Sequence, residues 1–317
     1  MCVHVFGNSP TPAVATYGLR RCAEDCGNPC DVDLQEFVIR NFYVDDGLMS
    51  FPTVTEAVDV LKRAQRALLE GGNLKLHKIA SSSEEVMSQF PAADLAKTLE
   101  PLDLPHDELP LHHSLGIAWE LSTDTFTYHT SENQKPFTKR GLLSTVNWIF
   151  DPLGFLTPII IKGKIIMRDA GNEANGWDDS LLPHTEKVWR SWTEQLSKLC
   201  DIHIPRCFLT VSFSKCVTRT LHIFSDASEL AVAACAFLRG IDEDGEVFTG
   251  FVFGKSKVVP KHGHTIPHLE LCVAVLATEI GEMLSEQLDI PLDHMRYYTD
   301  SRVVLGYLTN ERRRFYV

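Results

Sequence analysis

No apolar run in the 317 residues approaches the roughly 18 that a membrane span requires. The longest, TPIIIKGKIIM (157–167), is interrupted by Lys162 and Lys164, so no membrane partner is expected. The opening MCVHVFGNSP has neither a basic start nor a long apolar stretch, so no signal peptide is expected. Nine cysteines cannot all pair, and nothing marks secretion. They read as reduced thiols of an intracellular protein, in the cytoplasm or the nucleus. Positive charge is also short: 30 Lys and Arg stand against 42 Asp and Glu, a net charge of −12. That excludes a free-standing, non-specific nucleic-acid binder, whose affinity comes mostly from cations on phosphates. It leaves room for an enzyme with a local basic face. Three clusters qualify, each readable equally as solvated surface: Lys135, Lys139 and Arg140; Lys162, Lys164 and Arg168; Arg312, Arg313 and Arg314. A Gly-rich phosphate loop is missing, because EGGN (70–73) reads as a helix stop. The C-x₂-C spacing of most zinc sites is missing too. Cys22, Cys26 and Cys30 recur every four residues with no evident fourth ligand, which favours buried or idle thiols over zinc.

A composition of 44% hydrophobic and 23% charged residues is that of a globular chain long enough for two or three domains. Shifts in proline and charge suggest segments 1–130, 131–217 and 218–317. In the first, LQEFVIRNFYVDDGLMSF reads as two strands around an Asp-Gly turn. TVTEAVDVLKRAQRALLEGG follows as a helix, with Thr53 and Glu56 at capping-box spacing. Its stripe is Val54, Val58, Leu61 and Leu68, ended by Gly71-Gly72. NLKLHKIA alternates like a strand, and HSLGIAWELSTDTFTYH like two strands around Ser122 to Asp124. The second segment reads as mostly helical, with Trp189, Trp192, Leu196 and Leu199 as a core stripe. The third reads strand, strand, strand, helix, strand, helix.

Two groups of acids carry chemical interest. Asp45 and Asp46 precede Gly47 in FYVDDGLMSF. Asp-Gly between apolar runs is a hairpin signal, and paired carboxylates are also what divalent cations need. Asp226 follows the alternating strand LHIFS, on the side of His222 and Phe224 and opposite Leu221 and Ile223. Asp300 closes the strand MRYYT, and Glu270 sits in the first turn of a helix begun at Pro267. Glu270 lies above Ala274 and Ala277, beside a stripe of Leu269, Cys272, Val273, Leu276, Ile280, Met283 and Leu284. Small residues there let the helix approach a sheet. Three acids meeting at strand ends would raise one another's pKa values unless cations sat between them, and two Mg²⁺ there could drive phosphodiester hydrolysis. The bland reading is a helix-dipole Glu and two turn-exit Asp. His262, His264 and His268 precede that helix, either as a polar loop or as a metal or substrate contact.

These residues also carry a family likeness. VFGNSPTPAVATYGLR, FYVDDGLMS, GGNLKLHKIAS, HSLGIAWELSTDTF, STVNWIFDPLGFLTPIIIKGKIIMRD, GWDDSLLP, IHIPRC, FSDASELAVAACAF, FGKSKVVPKHGHTIPHLELCVAVLA and YYTDSRVVLGYL occur in this order. The chain resembles the reverse transcriptase, connection and ribonuclease H region of a BEL/Pao-type LTR retrotransposon polyprotein, over nearly all of residues 3 to 310. His268 departs from it, since the family usually has Arg in this Pro-x-Leu-Glu-Leu setting. The resemblance implies an α+β fold: a partial palm and thumb-side region in 1–130, a helical connection in 131–217, and a partial ribonuclease H-like mixed-sheet α/β domain in 218–317. It implies that Asp45 and Asp46 hold two Mg²⁺, or Mn²⁺ in their place, for nucleotidyl transfer at a hairpin. Phe6 and Gly7 match the element that contacts template and incoming nucleotide, with Tyr43 beside the aspartates and Lys75 toward the triphosphate. Asp226, Glu270 and Asp300 become metal ligands of a nuclease acting on an RNA–DNA hybrid, with primer-template and further polyprotein segments as other partners. The family also has a catalytic Asp upstream of the FG element and a fourth nuclease acid further on. Neither has a counterpart between Phe6 and Val317, so both active sites are expected to be incomplete and weak in this chain. The alternative left open is a non-catalytic nucleic-acid or protein-binding remnant.

Overall fold

Residue contacts divide the chain into two compact units, Met1–Thr127 with His203–Pro205, and Tyr128–Ile202 with Arg206–Val317. The computed structural model describes residues 11–25, 32–43, 46–96, 111–114, 117–128, 135–171, 176–210 and 213–310. Cys26, Cys30, Asp45, Phe6, Gly7 and Arg312 to Arg314 lie outside the described residues.

The first unit begins with α1 (Thr11–Asp25) and α2 (Val32–Asn41). Here the expectation of a strand through LQEFVIRN is corrected. Leu34, Phe37 and Val38 are buried at i, i+3 and i+4, a helical stripe that joins Leu19, Ala23, Val60 and Leu68 in one core. Among the described residues of this stretch only β1 (Phe42–Tyr43) and β2 (Asp46–Gly47) are strands, pairing Phe42 with Gly47 and Tyr43 with Asp46. Asp46-Gly47 is therefore the second strand of the hairpin and not its turn. α3 (Val54–Gly72) starts as its capping box predicts, the Thr53 side chain accepting from the Glu56 N–H at 3.2 Å. It stops in a left-handed Asn73 with φ 52°. Its fully buried positions are Ala57, Val60, Ala64 and Leu68. Val54, Val58 and Leu61 pack only partly, against Ile79, Val86 and Phe90. Arg63 ties α2 to α3, bonding Asp33 across the pair and Asp59 on its own helix at 2.8 Å.

NLKLHKIA forms no strand. Ile79 makes a single parallel bridge to Leu95, and the segment finds no ladder among the described residues. The short helix α4 (Glu84–Ser88) covers it. Where two strands were expected around Ser122 to Asp124 there are three: β3 (Leu111–Ser114), β4 (Ile117–Glu120) and β5 (Thr125–Thr127). β6 (Ile204–Pro205) pairs with β5, giving an antiparallel sheet of order β3-β4-β5-β6. The turn is held by Trp119 Nε1 donating to Asp124 Oδ1 at 3.0 Å.

The second unit opens with α5 (Lys139–Trp148), α6 (Thr157–Ala170) and α7 (Pro183–Leu196). Trp189, Trp192, Leu196 and Leu199 are all buried, as their spacing predicts. Between α5 and α6 the DPLGF turn is organised by Asp151, which accepts from the N–H groups of Gly154 (3.1 Å) and Leu156 (2.7 Å). Gly154 has φ 86°, and its neighbour Leu153 accepts from the Gly254 N–H at 2.9 Å. A Cβ at Gly154 would lie 1.9 Å from the Gly254 carbonyl oxygen, so only glycine fits.

β7 (Cys216–Ala227), β8 (Ala231–Asp242) and β9 (Val247–Val258) form an antiparallel meander, followed by α8 (Ile266–Leu288), β10 (Met295–Tyr298) and α9 (Arg302–Thr309). The sheet order is β10-β7-β8-β9, with β10 parallel to β7, so the sheet is mixed. Leu221, Ile223, Ala236 and Leu238 face Leu269, Val273, Leu276 and Ile280 of α8 in the largest core. The buried face of α8 is rotated from the expected stripe. Cys272 and Met283 are exposed, while Glu270, Ala277 and Gly281 are buried. The reason is contact with the sheet: a Cβ at Gly281 would meet the Tyr297 hydroxyl at 2.1 Å, so this side of the helix is the one that closes on β10.

Candidate metal centre

The parallel pairing of β7 and β10 sets the geometry. Its last registered pair is Phe224 with Tyr298, so Asp226 and Asp300 each lie two residues further on, at matching positions along the same sheet edge. The Asp226 carboxylate accepts from the Ala227 N–H at 2.8 Å. After β10 the chain turns at Thr299, whose hydroxyl accepts from the Ser301 N–H at 3.2 Å. Ser301 then caps α9 by accepting from the Val304 N–H at 3.3 Å, which fixes Asp300 at the turn. Neither Thr299 nor Ser301 stood out in the sequence, although Ser before an apolar run is an N-cap signal.

α8 supplies the third carboxylate. Thr265 caps the helix by accepting from the His268 N–H at 3.4 Å, and Pro267 occupies its first turn. Close packing over Ala277 and Gly281 brings Glu270 to the sheet edge. One carboxylate oxygen from each of Asp226, Glu270 and Asp300 lies within 4.8 Å of the others. Among the described residues no other such group of three potential ligands occurs. Asp226 and Asp300 are exposed, whereas Glu270 is 9% exposed. Its Oε2 is buried with no hydrogen-bond donor among the described residues. Burial first, and then the nearby Asp300 and Asp226 charges, push the Glu270 carboxyl above its ordinary pKa.

A buried carboxylate with one orphaned oxygen, grouped with two further carboxylates, lacks positive charge. Three carboxylate oxygens are a hard donor set, suited to Mg²⁺, Mn²⁺ or Ca²⁺ and unsuited to soft metals. The residues therefore fit a divalent cation.

The remaining residues singled out by sequence are not members of this trio. Asp46 is exposed on β2, beside Tyr43, which is 71% exposed. Lys75 pairs with Asp94 at 3.1 Å. Cys22 is half-buried against the α1–α3 core. The His264 and His268 rings stack 5.3 Å apart, with Nδ1 atoms at 3.4 Å, and His262 is exposed.

Comparison with known proteins adds the relationship. Residues 138–301, just over half the chain, match the family model of the Pao retrotransposon-like RNaseH-like domain. No curated protein matches. A foamy viral protease-reverse transcriptase solved with double-stranded DNA aligns at 16% identity and a TM-score of 0.47, over 94% of this chain and 44% of that one. A second such structure aligns at 15% and 0.46, over 98% and 55%. The chain thus spans about half the length of the solved chains it matches. By its sequence match across 138–301, the chain belongs to the Pao retrotransposon-like RNaseH-like domain family.

Proposed function

We propose that this chain is part of a retroelement RNA-directed DNA polymerase with ribonuclease H, and that Asp226, Glu270 and Asp300 form its nuclease centre. On this reading residues 218–317 are the nuclease domain, 131–217 the connection, and 1–130 the palm and thumb-side part. The single observation that carries the nuclease reading is Glu270: a buried carboxylate with an unpartnered oxygen, within 4.8 Å of two others. A protein that only binds has no use for that desolvated negative charge, which disfavours a non-catalytic remnant.

The division of labour follows from burial. Glu270 forms the floor, fixed by the closest-packed side of α8. Asp226 and Asp300 form the solvent side, on rigid backbone at matching register, where a phosphodiester can approach. Mg²⁺ or Mn²⁺ held by the three would supply Lewis-acid stabilisation of charge on the phosphodiester. The substrate consistent with the family is the RNA strand of an RNA–DNA hybrid.

The test is Mg²⁺-dependent cleavage of the RNA strand of a labelled hybrid. Asp226→Asn, Glu270→Gln and Asp300→Asn should each lower the rate by at least a hundredfold while leaving the far-UV spectrum unchanged. Cleavage by the wild type that survives all three substitutions would overturn the assignment. For the first unit, the exposed Asp46 and Tyr43 on the β1–β2 hairpin support a nucleotidyl-transfer reading together with Asp45, with Phe6, Gly7 and Lys75 toward template and nucleotide. Primer extension that requires Asp45 and Asp46 is its measurement.

A further inference from the structure

Arg168 closes the basic run Lys162, Lys164 and Arg168, and it is not a solvated surface charge: its side chain is 17% exposed. It sits in the last turn of α6, and its guanidinium is divided between two tasks. Nη1 donates to two main-chain carbonyls, Val259 at 2.7 Å and Leu230 at 3.3 Å. Nε and Nη2 hold the Asp169 carboxylate, at 3.0 and 2.9 Å. Lys261 completes the group, donating to the Asp169 carbonyl at 3.2 Å and lying 3.5 Å from its carboxylate. Hydrogen bonds from a charged donor are stronger than neutral ones, and a planar guanidinium holds several acceptors in fixed directions.

The two carbonyls belong to the two segments that carry acids of the metal centre. Leu230 lies in the turn between β7 and β8, four residues beyond Asp226. The Ser228 N–H closes that turn by donating to the Ala231 carbonyl at 2.9 Å, and the Ser228 hydroxyl accepts from the N–H groups of Leu230 (3.3 Å) and Ala231 (3.1 Å). Val259 follows β9 directly and opens the loop that leads through Lys261 to the Thr265 cap of α8, and so to Glu270. The two segments also meet each other, the Val259 N–H donating to the Leu230 carbonyl at 3.0 Å. Arg168 therefore fastens to α6 the point where the chain after Asp226 meets the chain before Glu270. Asp300 is held separately, by the Thr299 turn and the Ser301 cap.

We propose that Arg168 is a positioning residue of the metal centre: without touching a cation, it holds the turn after Asp226 against the loop before Glu270, and so sets the spacing of those two carboxylates. The inference rests on the reading of Asp226, Glu270 and Asp300 as a metal centre. On this account α6 is a working part of that centre although it contributes no ligand to it.

The experiment is Mn²⁺ binding to the full chain, read from the electron paramagnetic resonance signal of the free ion, with amide exchange at Val259 as a second reading. Removing a partner that orients metal ligands without touching the metal typically weakens affinity by about 10–100-fold. Arg168→Met keeps the bulk of the side chain and none of its donors. It should weaken Mn²⁺ binding by about tenfold, the low end of that range because Asp300 is held independently, and it should speed exchange of the Val259 N–H. Arg168→Lys keeps a cationic donor for the carbonyls and should recover most of the affinity. Asp169→Asn loosens the same group more gently and should shift affinity the same way by less; it carries the test if Arg168→Met does not fold. Leu199→Ala removes a buried side chain that takes no part in these bonds, so it should lower the melting temperature and leave Mn²⁺ affinity unchanged. Arg168→Met that binds Mn²⁺ as tightly as the wild type, while Asp226→Asn binds it weakly, overturns the role of Arg168 and leaves the centre standing. Equal weakening in Leu199→Ala overturns that role as well, since affinity would then follow stability alone. Mn²⁺ binding that Asp226→Asn leaves unchanged sinks the metal centre itself, and the role of Arg168 with it.

Discussion

A Glu near a helix N-terminus ordinarily gains from the helix dipole, but Glu270 is also packed away from water against Asp226 and Asp300. Its folded pKa is raised above the ordinary 4.5, by burial first and by the two aspartates next. For an acid shifted upward, the stabilising form is the protonated one. Its contribution is complete below about pH 4.5 and is lost as pH rises through the folded value. In EDTA, the wild-type melting temperature should therefore fall relative to that of Glu270→Gln as pH is taken from 4.5 toward 8. Parallel pH profiles would contradict the shift. Mg²⁺ supplies the missing positive charge, so at neutral pH it should stabilise the wild type, by about 2.7 kcal/mol at a concentration a hundredfold above its Kd. Asp226→Asn should lose most of that rise. Asp46→Asn, which alters the other candidate site, should leave it intact. Differential scanning calorimetry across a Mg²⁺ series reads both.

Among the elements, α6 and α7 meet closely at Trp192. Trp192 is 2% exposed and donates from Nε1 to the Ile159 carbonyl at 3.0 Å. A Cβ at Gly163 would sit 2.5 Å from its ring. Trp192→Ala should cost about 3–5 kcal/mol in urea unfolding, with metal-dependent chemistry retained in the folded fraction. Gly154→Ala should cost at least about 1–2 kcal/mol, because its positive φ penalises a side chain, and the clash with the Gly254 carbonyl adds to that. Both variants show why some elements were legible in the sequence and others not. The segment from Cys216 to Thr309 was readable in order because its strands alternate and α8 is long and capped. α3 was readable from Thr53 and Glu56. LQEFVIRN was misread because Leu34, Phe37 and Val38 are too few to distinguish a ten-residue helix from a strand leading into a hairpin. NLKLHKIA alternates but borders no neighbouring strand among the described residues, and alternation alone does not create a ladder partner.

At the scale of the molecule, what the sequence reveals depends on how many elements must cooperate. The three acids were legible because each ends or begins an element, and parallel pairing of β7 with β10 is the one tertiary fact needed to align two of them. The cationic run was half legible: Lys162, Lys164 and Arg168 stand close together in the sequence, but that Arg168 donates to the Val259 and Leu230 carbonyls follows only from packing of α6 beside the end of β9. The orphaned oxygen of Glu270 was not legible at all, since its burial depends on the close approach at Ala277 and Gly281. Each of these features is built within the second unit, whose core is the sheet and α8. The first unit has cores of its own around Phe37 and Leu68 and around Ile79 and Phe90. A chain of residues 128–317 should therefore fold by itself, losing among other contacts the two-residue ladder that β6 makes with Thr125 and Phe126 and the His203–Glu120 contact at 3.3 Å. It should melt cooperatively by circular dichroism and show the same Mg²⁺-dependent rise in melting temperature as the full chain. A fragment that is folded but insensitive to Mg²⁺ would mean that the three carboxylates need residues of the first unit to hold a cation, and that the centre is not complete within the sheet and α8.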